Sequence, residues 1–270
     1  MNSIYVIIVL YKIQLEDALA YQTLIKANHI EEFFVYDNSP ETFQLTSEIP
    51  EKVTYIRDYS NSGLSKAYNV GAQYASKLGY KRILILDQDT EFKREIWNEY
   101  LQNIDYEGIM SPILRTTQGK PFSPVDTRGW GLKGWADPVP GDHSLFELAV
   151  VNSGCCIPVS LFELAGGYKE SVKLDLADFQ FQIRVRNLVP HFRLMHSVAI
   201  QDFSNDSTDI NALLQRNKLY LQSAAAFCPD TTKGKLKHHV QVLRHGLALT
   251  LRTHKIQFLT NYLKFFLLKR

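Results

Sequence analysis

Cysteine, long apolar runs and, over its final stretch, acidic side chains are what this chain of 270 residues has least of. Its three cysteines, two of them adjacent (Cys155, Cys156), are too few for a disulfide framework and point to a reducing compartment. No apolar run approaches the ~18 residues that a membrane span requires. The opening "MNSIYVIIVLYK" has neither a basic leader nor a small-residue cleavage site, so it is expected to be a first strand and not a signal peptide. Together these absences place the expected location in the cytoplasm. No G-x-G-x-x-G follows that first apolar run, which argues against a dinucleotide-binding dehydrogenase. Internal repeats and low-complexity segments are also missing. From Thr231 onward there are nine Lys and Arg and no Asp or Glu, whereas the first 230 residues carry 21 basic against 28 acidic side chains. The net charge of +2 therefore hides a basic tail on an acidic body, and the tail is expected to have a role of its own.

What is present is an α/β pattern. "YVIIVLY" (5–11) is a continuous β-branched run suited to a parallel strand covered on both faces. Helical spacing follows over 15–27, then a strand "EEFFVYD" ending at Asp37, a short strand "VTYIRD", and a helix from about Ser65 closed by Gly79. "RILILD" supplies a fourth strand. Such alternation implies a doubly wound sheet with ligands in the crevice beyond the strand carboxyl ends. The segment 109–142 is rich in Gly, Pro and Trp and is expected to be irregular or short-strand structure, a long substrate-side loop. "HFRLMHSVAIQDF" reads as a late strand pair, and helix predominates from Ala212.

Three strands deliver polar residues to one expected edge: Asp37 with Asn38, Arg57 with Asp58, and Asp87 with Asp89. Strands often end in such turn residues, so one alone says little. Two carboxylates one residue apart on an extended tip can share a hard divalent cation, Mg²⁺ or Mn²⁺, completed by waters and substrate phosphates. An aspartyl phosphatase of the haloacid dehalogenase type is disfavoured, because Thr90 follows Asp89 directly and the pair ends the fourth strand. Asp175 and Asp178 open a helical pattern, where helix capping competes with a catalytic role.

The pieces "VYDNS", "NSGLSKAYNVGAQYA", "LILDQDTEF", "SGCCIP…LAGGY", "LDLADFQFQIR" and "QRN" occur in the order seen in family-2 inverting glycosyltransferases. They resemble most the rhamnosyltransferase-type members, over roughly residues 4 to 220. The resemblance implies the GT-A fold, a mixed doubly wound sheet with a nucleotide-binding first half. It implies that Asp37 holds the nucleotide base, with Asn38 beside it as a further nucleotide-binding candidate, and that Asn61 and Gly63 open the segment under the nucleotide. Asn69 would contact the nucleotide sugar or pack. Asp87 would face the ribose or the metal, Asp89 the metal, and His196 would complete the metal shell. Asp178 would be the catalytic base, six residues before Arg184, with Asp175 as runner-up; Ala177 stands where many members have Glu. Arg216 and Asn217 match a pair that contacts the diphosphate or braces the site.

A metal-dependent inverting transferase is therefore expected, using Mg²⁺ or Mn²⁺ and moving rhamnose from a dTDP donor to a glycan or lipid-linked glycan of a bacterial surface polysaccharide. UDP-hexose or UDP-galactofuranose transfer and an inactive nucleotide-sugar-binding assembly partner are the alternatives. The expected division is a catalytic domain over 1–228, with halves 1–108 and 109–228, and a basic amphipathic helical tail over 229–270. The tail is expected either to lie on an anionic membrane surface, Phe and Leu face down, or to pack on the catalytic domain or a dimer partner. No module accompanies its charge that would read nucleic acid.

Overall fold

The computed structural model describes residues 3–46, 48–201 and 209–268. β1 (Ile4–Leu10) is buried at all seven positions, which explains why it alternates no polar residues. Its odd residues pack with α1 (Leu64–Lys77), and its even ones with the helical turns around Tyr21–Lys26 and with α2 (Ile96–Gln102). β2 (Phe33–Asp37), β3 (Thr54–Arg57) and β4 (Arg82–Asp87) run parallel to it. β5 (Thr90–Phe92), β6 (Ile109–Arg115), β7 (Gly141–Ser144), β8 (Cys155–Pro158) and β9 (His191–Gln201) join them in the main sheet, and a short strand at Pro121–Ser123 pairs with β6. The sheet order is β7-β9-β6-β8-β4-β1-β2-β3, with β5 paired to β9. β8 runs antiparallel to both β4 and β6, so the sheet is mixed.

One buried cation ties these strands together. Arg82, 2% exposed at the start of β4, donates to the carbonyls of Gly108 at 2.7 Å and Cys156 at 3.0 Å, and to that of Tyr106. Its Nε also faces Cys156 Sγ at 3.3 Å, and the adjacent Cys155 is buried as well. The helix expected over 15–27 is broken. A 3₁₀ turn at Leu15–Asp17 ends at Ala18, which is extended, before a π-wound segment at Tyr21–Lys26. The late strand pair is one long strand, β9, with a register shift against β6 between Leu194 and Val198; the end of that motif, 202–203, lies outside the described residues.

The second half adds α3 (Val159–Leu164), α4 (Ala177–Val185) and α5 (Ile210–Ala226). The basic tail forms α6 (Thr232–Thr253), a left-handed turn at His254, and α7 (Gln257–Tyr262) running into a π-wound turn. Val242, Tyr262 and Phe266 close on Leu221 and Ala224 of α5, and Phe258 is fully buried. The tail is thus packed on the body, the second of the two expected arrangements. Its phenylalanines face inward, and the exposed apolar residues of α6 are Leu236, Leu243, Leu247 and Leu251. No described helix is long and apolar enough to cross a membrane.

Candidate active site

The parallel register brings the strand tips level: Leu10 faces Asp37, Val9 faces Asp87, and Asp37 faces Arg57. The polar endings read from the sequence therefore meet at the crevice where the sheet order reverses, beside β1.

Asp37 is fully buried, and its carboxylate is satisfied within the protein. The Ser39 N–H and the Tyr55 hydroxyl each donate to it at 2.8 Å, and Arg57 pairs with it at 3.1 Å. With these partners it braces the crevice floor. Next to it, Asn38 is 3% exposed and its Oδ1 has no hydrogen-bond partner. A buried acceptor left open is costly without a ligand or water.

The following loop is organised by Asp58, which accepts from the N–H groups of Ser60 and Ser62 and from the Tyr36 hydroxyl. Burial opposes its charge, but the Ser60 and Ser62 hydroxyls win and hold it well below the usual carboxylate range. Asn61 stands exposed at the loop tip with φ +48°. Gly63 starts α1 with φ +101°, and a Cβ there would lie 2.5 Å from the Lys173 carbonyl oxygen, which the Leu64 N–H contacts at 2.8 Å. Gly63→Ala is expected to cost about 2–4 kcal/mol by combining left-handed strain with that clash, read as a lower urea midpoint at unchanged slope. Asn69 proves to be a packing residue. Its amide exchanges hydrogen bonds with the Tyr168 backbone at 2.7 and 2.9 Å, which leaves the nucleotide-sugar contact without support.

At the β4 tip, Asp87 accepts from the Tyr68 hydroxyl at 3.0 Å. The Gln201 amide nitrogen, at the end of β9, bridges Asp87 at 3.2 Å and Asp89 at 2.9 Å. Two carboxylates thus converge on one positive dipole. Burial, and then the charge of Asp89, push the Asp87 carboxyl up to about 6. The residue between them points away: Gln88 accepts from the Tyr11 N–H at 2.7 Å. Thr90 and Ser153 share a hydrogen bond of 2.7 Å that anchors the turn beneath.

Asp178 lies in the first turn of α4, after Leu176, whose left-handed backbone (φ +67°) re-aims the chain into the helix. Burial pushes its carboxyl up to about 7 against the pull of the Phe179 N–H, and the charges of Asp175 and Asp87 add to the rise. An aromatic ladder sets its place relative to Asp87: Phe181 of α4 stacks on Tyr168 at 4.6 Å, and Tyr168 meets Tyr68 at 5.2 Å. Arg184 turns away to the carbonyls of Ala165 and Gly167.

Three expectations change here. Asp175 forms a two-pronged ion pair with Arg216, so both its oxygens are engaged and it is a poor candidate for the base. The same pairing ties up the Arg216 guanidinium expected at the diphosphate. The structure places His196 beside Glu99 and not beside the paired aspartates. It sits at the β9 irregularity, highly exposed, with its ring 3.3 Å from Glu99, while Gln201, five residues on, is what reaches the aspartates. Among the described residues no cluster of three His, Cys, Asp or Glu gathers for a metal. Gln201 was legible by the rule that found Asp87, a polar residue closing an apolar strand, and Tyr68 was hidden inside the amphipathic pattern of α1.

The profile of glycosyl transferase family 2 matches residues 13–157, which is more than half of the chain and includes the paired aspartates. The chain belongs to glycosyl transferase family 2. It is 25% identical over 210 residues to the dTDP-rhamnosyl transferase RfbF of Shigella flexneri, covering 73% of this chain and 70% of that protein. Among solved structures, S. aureus TarS 1-349 in complex with UDP superposes with a TM-score of 0.53 at 13% identity, covering 91% of this chain and 72% of that one. GalNAc-T7 with UDP, GalNAc and Mn²⁺ gives 0.55 at 12% identity; this chain spans 94% of itself but only 58% of that longer chain. The likenesses establish the fold of this family-2 member as GT-A, a mixed α/β sheet followed by C-terminal helices.

Asp87 and Asp89 fit a hard cation by chemistry: two oxygen donors converging where a dipole already bridges them, the number that Mg²⁺ and Mn²⁺ use when phosphates complete the shell.

Proposed function

We propose that this family-2 glycosyltransferase is a metal-dependent inverting enzyme that moves rhamnose from a dTDP donor onto a glycan or lipid-linked glycan acceptor. The observation that carries the reading is Asp178, a carboxyl pushed up to about 7 within electrostatic reach of Asp87. An inverting transfer needs a base that takes the acceptor hydroxyl proton as that oxygen attacks the anomeric carbon, and a pKa near neutrality suits the task. Asp87 and Asp89 would hold Mg²⁺ or Mn²⁺, which when bound neutralises charge growing on the departing diphosphate. The open Oδ1 of Asn38 awaits a donor at the level of the strand tips, where the nucleotide would lie. Residues 1–108 form the donor half, 109–228 the acceptor half, and 229–270 a helical cover.

The donor base follows the likeness to the dTDP-rhamnosyl transferase; the UDP in both solved relatives supports a second donor class. Calorimetric titration of dTDP, UDP and GDP, each with and without Mn²⁺, separates them. The expected outcome is metal-dependent binding of dTDP. Binding of UDP alone moves the donor to a UDP-sugar, and binding of none with metal present overturns the transferase reading.

A further inference from the structure

Three adjoining cavities lie between α6 and the catalytic body, beside the contacts that pack the two together. One of about 420 Å³ lies against Phe179 and Gln182 of α4. A second, of about 240 Å³, shares Leu132, Leu176 and Gln241 with it. A third, of about 420 Å³, shares Tyr220 and His245 with the second and ends on Asp175 and Asn217. Their shared lining residues set them in one row, a groove that passes the loop leading into Asp178. One face of α6 lines it from Lys233 to Arg252, about 28 Å at the helical rise.

The charge along this groove is lopsided. On the body side each arginine has its own carboxylate: Arg128 with Asp126, Arg186 with Asp230, Arg216 with Asp175. The α6 side presents Lys233, Lys237, Arg244 and Arg252, and α6 contains no Asp or Glu. Among the described residues none of these four forms a salt bridge with a carboxylate, and Lys237 donates to the Arg128 carbonyl. At the far end Asn217 is 2% exposed, and neither atom of its amide has a partner. A buried amide open in both senses calls for a ligand that donates and accepts, as a sugar hydroxyl does. Trp130, exposed in the wall between the cations, supplies a ring face for a sugar, while the Tyr220 ring packs against His245 at 4.4 Å.

We propose that this groove binds the acceptor, and that the acceptor is an oligosaccharide several sugars long bearing repeated negative charge. The placement rests on Asp178 being the base; the ligand class rests on the groove alone. Four cations spread along its length match a charge repeated along a chain. A neutral glycan with a single terminal diphosphate would leave most of them without a counter-charge. α6 then serves as one wall of the acceptor site, and its opposite, leucine-bearing face takes no part.

The test uses hexagalacturonate and its methyl ester, the same chain without charge, titrated into the full-length protein at low salt. Binding of the acid form is expected, with the ester at least about tenfold weaker. Arg244→Ala with Arg252→Ala should weaken the acid form by at least about tenfold, with melting temperature unchanged. Two controls should leave it unaltered: Lys255→Ala with Lys264→Ala, which removes equal charge outside the groove, and Leu243→Gln with Leu247→Gln on the outer face. Asn217→Leu should also weaken binding while raising the melting temperature, because it removes an unpartnered buried amide. Failure of the acid form to bind, equal binding of the ester, or equal loss in the Lys255/Lys264 control overturns the proposal. Loss of nucleotide binding to the wild type would instead sink the transferase reading and leave the groove standing.

Discussion

Asp178→Asn is expected to lower sugar transfer by about 10²–10⁴-fold, the usual contribution of a positioned general base, while leaving nucleotide affinity unchanged. The wild-type rate should follow the state of the carboxyl. Burial first, then the charges of Asp175 and Asp87, raise it from 3.8 to about 7, so kcat/KM should climb with pH up to about 7 and level off above. Stability runs the other way. Because folding raises this pKa, the folded chain binds the proton more tightly than the unfolded chain between 3.8 and about 7, and the carboxyl's contribution is lost as pH rises through that window. The Asn variant lacks that loss, so its melting temperature should gain on the wild type as pH rises from 4 to 7. A variant that retains full turnover, or a rate flat across that window, would remove Asp178 from the chemistry. The two readouts separate roles, since a residue that only caps α4 would alter stability and leave the rate profile alone.

The parts of this site legible in the sequence are those that a periodic pattern delivers. Asp37, Arg57 and Asp87 each close an apolar strand, and parallel pairing brings the ends of such strands to one edge. Position alone does not say where a carboxylate points. Asp37 and Asp87 share one edge, yet the first is enclosed by Ser39, Tyr55 and Arg57, and the second meets Asp89 across Gln201. Partners from distant segments decide the difference. Tyr55 is 18 residues from Asp37, whereas Gln201 is 114 from Asp87. The same limit explains His196. The sequence places a histidine after an apolar run, but the irregularity in β9 and the carboxylate of Glu99, 97 residues away, determine where it lies. Asp175 and Asp178 look interchangeable in "LDLADF". They part only because Arg216, from a helix 41 residues on, takes up the first. The basic, acid-free composition of the tail is what makes the α6 side of the groove positive, and Phe266 turns inward because α5 offers Leu221 and Ala224 to cover it.

Asp89→Ala should abolish the metal dependence of nucleotide binding and lower turnover by at least about 10²-fold, more than the loss usual for a residue that merely orients a ligand. The reasoning starts from like charge. Asp87 and Asp89 approach one amide, and the charge of Asp89, after burial, helps hold the Asp87 carboxyl near 6. Two carboxylates so placed repel each other in the folded chain, a cost that a divalent cation between them reverses. Removing Asp89 relieves the repulsion, so the variant should melt no lower than the wild type while its affinity for Mn²⁺ in the presence of nucleotide collapses. Asp89→Asn, which keeps the shape and one oxygen donor, should fall between the two in metal affinity. The combination of an undamaged fold with a lost metal response is what distinguishes a ligand from a strut. If turnover and its response to Mn²⁺ survive in Asp89→Ala, the convergence of the two aspartates is only a strand ending held by Gln201, and the cation has to be sought elsewhere.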